Sequence, residues 1–111
     1  MKNCTDIGQS RKLMKILSIK SADMYYWCGE DLRIGGYRAM DIDYDIPCWS
    51  LTALLNVLPQ SVRLVGTPKD SYWYCECIDD NNHWYAGFGS ANNPVDACVE
   101  MILKLHERKM L

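Results

Sequence analysis

Two stretches of this sequence each join an aromatic hairpin to a helix, and this pairing restricts the chain to a mixed helix and sheet fold. The second stretch is the clearer one. Residues 72–78 have strand composition, 79–82 have turn composition and 83–88 return as the partner strand. Asn93 then stands as the N-cap of a helix that has Pro94 in its first position. We therefore predict a tight hairpin followed by a core-facing helix.

The first stretch has the same plan with a longer loop. Residues 25–28 have strand composition, 29–36 form a glycine-flanked loop and 37–42 return as the partner strand. Ser50 is a good N-cap for the next helix, which Pro59 ends. The leucines of that helix have the i, i+3, i+4, i+7 spacing of a buried face, at Leu51, Leu54, Leu55 and Leu58.

A further helix precedes both stretches. Asp6 and Gln9 have the spacing of a capping box, and the apolar residues after them recur at helical spacing, which predicts a helix over residues 7–17. Residues 60–71 are polar and are interpreted as a connection. A short strand there is the alternative, favoured by Val62, Leu64 and Val65.

A shift of 47 residues aligns the two stretches, 24–58 with 71–105, without a gap. An internal duplication of a ββα unit explains the match, and so does shared secondary structure alone. The identical pairs are Tyr25 and Tyr72, Cys28 and Cys75, Ala39 and Ala86, Pro47 and Pro94, and Leu58 and Leu105.

We expect an α+β fold with the element order α-ββα-ββα. One antiparallel sheet built from the two hairpins would carry three helices on one face, which buries the apolar stripe of each helix. The length of 111 residues and the hydrophobic content of 49% suit a single domain over 1–111 with one core.

The net charge, the N-terminal residues and the cysteines limit which functions and compartments this protein can have. The 12 basic and 14 acidic residues give a net charge of -2, which argues against nucleic-acid binding by neutralisation of phosphates. Residues 1–6 do not resemble a secretory signal and no window suits a membrane span, so we expect a cytoplasmic protein.

Six cysteines allow a disulfide framework or a zinc site, but only Cys75 and Cys77 stand close together. Buried thiols and no metal are therefore expected.

The predicted pairing of the second hairpin separates two faces. Cys75 opposite Ala86 and Cys77 opposite Trp84 make an apolar face for the core, which Trp73 and Phe88 extend. The same alternation in the first hairpin directs Tyr26 and Cys28 inward. The outward aromatic residues, called the aromatic face below, are Tyr25, Trp27, Tyr72, Tyr74 and Tyr85.

An exposed aromatic face of this kind suggests a partner, because Tyr and Trp combine apolar area with a polar tip. Three occupants are open: loops or the first helix of the same chain, a second copy of the chain, or another protein. Stacking on single-stranded nucleic acid is disfavoured by the net charge.

The sequence contains no catalytic or cofactor-binding motif: it has no Walker loop, no nucleophile elbow and no zinc-protease signature. The spacing Asp41-x-Asp43-x-Asp45 resembles the start of a calcium loop, but Ile46 replaces the glycine and Thr52 the glutamate that such a loop needs. A solvated acidic strand end is the better interpretation.

One glycine-rich loop stands between a predicted strand and a helix, where an anion-binding loop would lie. It departs from the dinucleotide pattern at Asn92, so a simple connection is favoured over an anion or nucleotide site. The residues that would form such a site are Gly87, Gly89, Ser90, Asn92 and Asn93.

Three segments, SADMYY at 21–26, DIPCWSLTALLNVLP at 45–59 and NPVDACVEMI at 93–102, resemble small uncharacterised proteins encoded by prophages and mobile elements of Bacteroides-type gut bacteria. The resemblance covers most of the chain but consists of packing and capping segments. It implies a cytoplasmic accessory protein of a phage-like element, and it carries no catalytic residues.

The sequence thus favours a non-catalytic protein that binds a protein partner or itself through the aromatic face. The alternative is a small-ligand or nucleotide-binding module at residues 87–94.

Overall fold

The structure is a computed structural model that describes residues 2–67, 69, 72–78 and 92–111, together with the backbone of 83–86. The chain divides into two compact units. The N-terminal unit is Asn3–Val57, and the C-terminal unit is Leu58–Leu111 with Met1–Lys2.

The N-terminal unit contains two helices and a three-stranded antiparallel sheet of strand order β2-β1-β3. Its elements are α1 (Ile7–Leu13), β1 (Met24–Trp27), β2 (Asp31–Ile34), β3 (Ile46–Cys48) and α2 (Leu51–Val57).

The capping box at the start of α1 is confirmed. The Asp6 carboxylate accepts a hydrogen bond from the Gln9 N–H at 2.7 Å, and the Gln9 side chain accepts one from the Asp6 N–H at 3.1 Å. The predicted end at residue 17 is wrong, because α1 ends at Leu13. The Leu13 carbonyl accepts from the N–H groups of both Ile16 and Leu17, which closes the helix into a turn.

The first hairpin differs from its prediction. The returning strand is β2, immediately after a turn over residues 28–30, whereas Tyr37–Ala39 is a 3-10 turn. Cys28 and Gly29 both have positive φ, 51° and 74°, which reverses the chain within three residues. Cys28 was expected to face the core but is exposed, because it lies in this turn.

Strand β3 was not predicted. It pairs with β1 so that Pro47 lies opposite Tyr25. The Ser50 hydroxyl then accepts a hydrogen bond from the Ala53 N–H at 3.2 Å, which confirms Ser50 as the cap of α2.

Thr5 is the centre of the buried hydrogen bonds of this unit. Its hydroxyl lies 2.8 Å from the Ser10 hydroxyl of α1 and accepts from the Trp49 N–H at 3.1 Å. Its carbonyl accepts from the Tyr26 hydroxyl of β1 at 2.6 Å. Leu13, Trp49 and Leu54 form the fully buried apolar part of the core.

The C-terminal unit contains one helix and a three-stranded antiparallel sheet of strand order β4-β5-β6. Its elements are β4 (Val62–Thr67), β5 (Tyr72–Ile78), β6 (His83–Ala86) and α3 (Pro94–Glu107).

The register of the second hairpin is confirmed. Ile78 pairs with His83, Cys77 with Trp84 and Cys75 with Ala86. The expected pairing of Trp73 with Phe88 lies outside the described residues. Residues 62–67 form β4, so the interpretation of this segment as a connection is wrong and its alternative, a strand, is right.

Helix α3 begins as predicted and covers the apolar face of its sheet. The Asn93 side chain accepts from the Asp96 N–H at 2.9 Å, and Pro94 occupies the first turn. The buried Cys75 and Cys98 sulfurs lie 3.9 Å apart between β5 and α3. The other fully buried side chains of α3 include Val95, Met101, Ile102 and Leu105.

The α+β class is confirmed, and the predicted helices and hairpins occur in the predicted order. The strands form two three-stranded sheets instead of one, because β3 joins the first hairpin and β4 the second. The helices are divided accordingly: α1 packs against β3 and α3 against β5 and β6.

The single domain and the internal duplication stay predictions. The 47-residue shift equates the 3-10 turn at Tyr37–Ala39 with residues 84–86 of β6.

Gly66 of β4 lies opposite Trp73, and a Cβ at this position would overlap the indole ring. We therefore expect Gly66→Ala to lower the free energy of unfolding by about 1–3 kcal/mol, the usual cost of overpacking. Gly36→Ala is the matched control, because its added Cβ would meet only the Ala22 carbonyl oxygen at 3.9 Å. Urea unfolding measures both variants, and equal stability of the two would contradict the expectation.

Candidate interaction surface

The five residues of the aromatic face belong to two separate sheets, and the four whose side chains are described differ in exposure. Tyr25 was expected on an open face, but only 9% of its surface is exposed. Gly35, directly after β2, lies against its ring: a Cβ on Gly35 would lie 3.2 Å from the Tyr25 ring and 3.2 Å from the Ala39 Cβ. The expectation that Tyr25 is an accessible contact residue is therefore corrected.

Trp27 remains accessible, with 45% of its surface exposed. The Arg33 guanidinium of β2 lies over its ring, 4.5 Å from the ring centroid. This cation–π contact holds both side chains on one face of the hairpin. Trp27 is thus the aromatic-face residue of the first hairpin that a partner can reach.

Tyr72 and Tyr74 of β5 are half-buried, and their ring centroids lie 5.7 Å apart. Burial, and then the neighbouring Tyr74, raises the pKa of Tyr72, so its hydroxyl stays neutral. Tyr85 lies opposite Glu76 in the backbone register, and its side chain is outside the described residues. Glu76 itself is buried and forms an ion pair with Arg63 of β4.

The loop of the alternative site is only partly described: Gly87, Gly89 and Ser90 lie outside the described residues. Asn92 is exposed, and its side-chain oxygen accepts from the Asn93 amide at 3.0 Å. The same amide donates to the Asp96 carboxylate at 2.8 Å, and Lys2 pairs with that carboxylate at 2.8 Å. The polar groups of Asn93 and Asp96 thus bind one another at the start of α3.

The acidic segment Asp41–Asp45 stabilises the turn over residues 28–30 through hydrogen bonds. The buried Asp45 carboxylate accepts from the Cys28 N–H and from the Asp41 N–H, both at 2.8 Å. Asp43 is exposed and its N–H donates to the Asp41 carboxylate at 3.0 Å. Within the described residues, no group of three His, Cys, Asp or Glu side chains could hold a metal ion.

All six cysteines are free thiols, and four of them are buried. Burial raises the pKa of Cys48 to about 11. The hydrogen bond to Cys98, followed by burial, raises the pKa of Cys75. Such thiols stay protonated at neutral pH and are poor nucleophiles, so their contribution here is packing.

The edge strand β2 was not predicted from the sequence. β2 is at the edge of its sheet, and all four of its residues are exposed. The exposed fraction is 46% for Leu32 and 87% for Ile34. The alternation of charged and apolar residues in Asp31-Leu32-Arg33-Ile34 is the signal that could have identified a strand here.

The chain was compared with protein-family models, curated proteins and solved structures, and none of them matches it. Among the helices that the structure describes, none has the length and apolar content to cross a bilayer.

Asp45→Ala is expected to lower the free energy of unfolding by about 2 kcal/mol or more, because it leaves two backbone N–H groups without an acceptor. Asp43→Ala is the matched control and should change stability by less than about 0.5 kcal/mol, since its carboxylate is exposed. Chemical denaturation distinguishes the two. A calcium loop would instead require both carboxylates, and Ca²⁺ would then raise the Tm of the wild type.

Proposed function

We propose that this protein is a non-catalytic interaction protein that contacts a protein partner through the outer edge of β2 and the exposed side chains of the first hairpin. The observation that carries the proposal is the exposure of this edge, above all Ile34 at 87%. The accessory role in a phage-like element comes from the resemblance of the sequence and belongs to the same proposal.

The edge supports the proposal because of its backbone. An edge strand presents N–H and C=O groups that can pair with another strand, and proteins block such edges with short strands, charged side chains, proline or bulges. β2 has four residues and contains no proline or bulge. Its two charged residues, Asp31 and Arg33, have opposite signs, so they can also face complementary charges on a partner. Main-chain pairing of this kind is a common mode of protein recognition.

The side chains of the hairpin add apolar area to this backbone. Leu32 and Ile34 alternate with charged residues and therefore lie on one face of β2. Trp27 lies on the opposite face with the Arg33 guanidinium over it. A partner strand at this edge would cover part of both faces, and this burial would add to the hydrogen bonds of the backbone.

The state of two buried thiols, Cys48 and Cys75, supports a non-catalytic role for these two residues. The pKa of Cys48 and the pKa of Cys75 are raised, which opposes nucleophilic use of either thiol. The interactions of Asp45, Asn93 and Asp96 are explained by capping and turn formation.

The test compares two lysine variants. The tagged double variant Leu32→Lys/Ile34→Lys is expected to capture about one tenth or less of the partner protein that the tagged wild type captures. The reason is that lysine on an edge strand opposes pairing with another strand. Each tagged chain is produced together with an untagged wild-type copy, and the captured proteins, including this copy, are quantified by mass spectrometry.

Leu55→Lys is the matched control. Leu55 was expected on the buried face of α2, but this is wrong, because 42% of its surface is exposed, close to the exposure of Leu32. The Leu55→Lys variant should capture the same proteins as the wild type, in the same amounts. Equal capture by the β2 variant and the control variant would overturn the proposed function.

A further inference from the structure

The hydrogen-bond pattern of the hairpin shows which groups of β2 point outward. The Gly35 N–H donates to the Asp23 carbonyl at 3.0 Å, directly beyond the pair Met24 and Ile34. Hydrogen-bonded and non-hydrogen-bonded pairs alternate along an antiparallel ladder. Arg33 and Asp31 therefore direct their backbone groups toward β1, and Leu32 and Ile34 direct theirs to the open edge.

The opposite edge of the same sheet is blocked. By the same alternation, Pro47 is the β3 residue whose backbone faces away from β1, and proline has no N–H to donate. The Thr5 N–H donates to the Trp49 carbonyl just beyond it, so the N-terminal segment also lies along this side. The open edge of the N-terminal unit is thus that of β2.

We infer that the occupant of this edge is a second copy of the chain, with two β2 strands paired antiparallel about a twofold axis at Leu32; this rests on the proposed function and names its partner. Leu32 would lie opposite Leu32 of the second copy, and their outward N–H and C=O groups would exchange two hydrogen bonds. The N-terminal sheets of the two copies would then join into one six-stranded sheet of order β3-β1-β2-β2-β1-β3.

Charge complementarity selects this arrangement. With Leu32 on the axis, Asp31 lies opposite Arg33 of the second copy, and Arg33 lies opposite Asp31 of the second copy. Opposite charges in directly facing positions stabilise a strand pair. Arg33 is already held on the face of Asp31 by its contact with Trp27, which limits the side-chain entropy lost on pairing.

The neighbouring arrangement is less favourable. A register shifted by two residues also brings the outward backbone groups of the two β2 strands together. It places Leu32 opposite Ile34 of the second copy, and the two Arg33 side chains then lie opposite each other. Like charges in directly facing positions destabilise a strand pair. In the arrangement with Leu32 on the axis, Ile34 lies diagonal to Leu32 of the second copy, so the apolar face still loses exposed area.

Charge reversal tests the inference with the full chain. Sedimentation equilibrium should show a concentration-dependent monomer–dimer equilibrium for the wild type. Asp31→Arg alone and Arg33→Asp alone should each weaken the dimer at least about tenfold, because each places like charges opposite one another twice. The double variant Asp31→Arg/Arg33→Asp should restore dimerisation, since it exchanges the charges and keeps them complementary.

Circular dichroism and the Tm of each variant show whether the fold is intact, and Leu55→Lys should dimerise like the wild type. A wild type that stays monomeric up to about 1 mM would overturn the inference. A double variant as weak as the single ones would also overturn it.

The failures of the two proposals are distinguishable. If the wild type is monomeric but Leu32→Lys/Ile34→Lys still loses captured proteins, the second copy is the wrong occupant and the interaction role stands. If that variant captures what the wild type captures, the proposed function fails as well.

Discussion

The N-terminal unit depends on the buried backbone and hydroxyl groups of Thr5, because they connect elements that are distant in the chain. One residue before the α1 cap, Thr5 contacts Ser10 of α1, the Trp49 N–H that follows β3 and the Tyr26 hydroxyl of β1. Burial raises the pKa of Tyr26, so its hydroxyl remains a donor. These bonds hold β3 and β1 beside α1, and β2 is left on the far side of the sheet.

The exposure of β2 and the burial of Tyr25 follow from the path of the chain on either side of β2. The turn at Cys28 and Gly29 returns the chain after three residues, with Asp45 accepting from the Cys28 N–H. Gly35, directly after β2, then lies against the Tyr25 ring. The Tyr25 side chain is thereby buried within its own chain, while the outer edge of β2 is left open.

The features predicted correctly depend on residues that are close in sequence. The cap formed by Asp6 and Gln9, the cap formed by Asn93 and Asp96, and the register from Ile78 with His83 to Cys75 with Ala86 all follow from spacing within a few positions. Some incorrect expectations are local, namely the end of α1 and the turn before β2. The others concern strand pairing: β3 has only three residues and becomes a strand because β1 is adjacent, which intrinsic propensity does not encode. The strand propensity of β4 was visible in the sequence, but its pairing with β5 was not predicted.

The candidate site shows the same division. Alternation along β1 places Tyr25 and Trp27 on one face, but it contains no information about the segment that covers Tyr25 and leaves Trp27 open. The sequence by itself determined the α+β class, the helix caps and the second hairpin, because these are local interactions. Only the tertiary structure decided the division into two sheets and the open edge of β2, because both depend on which strands pair in the folded chain.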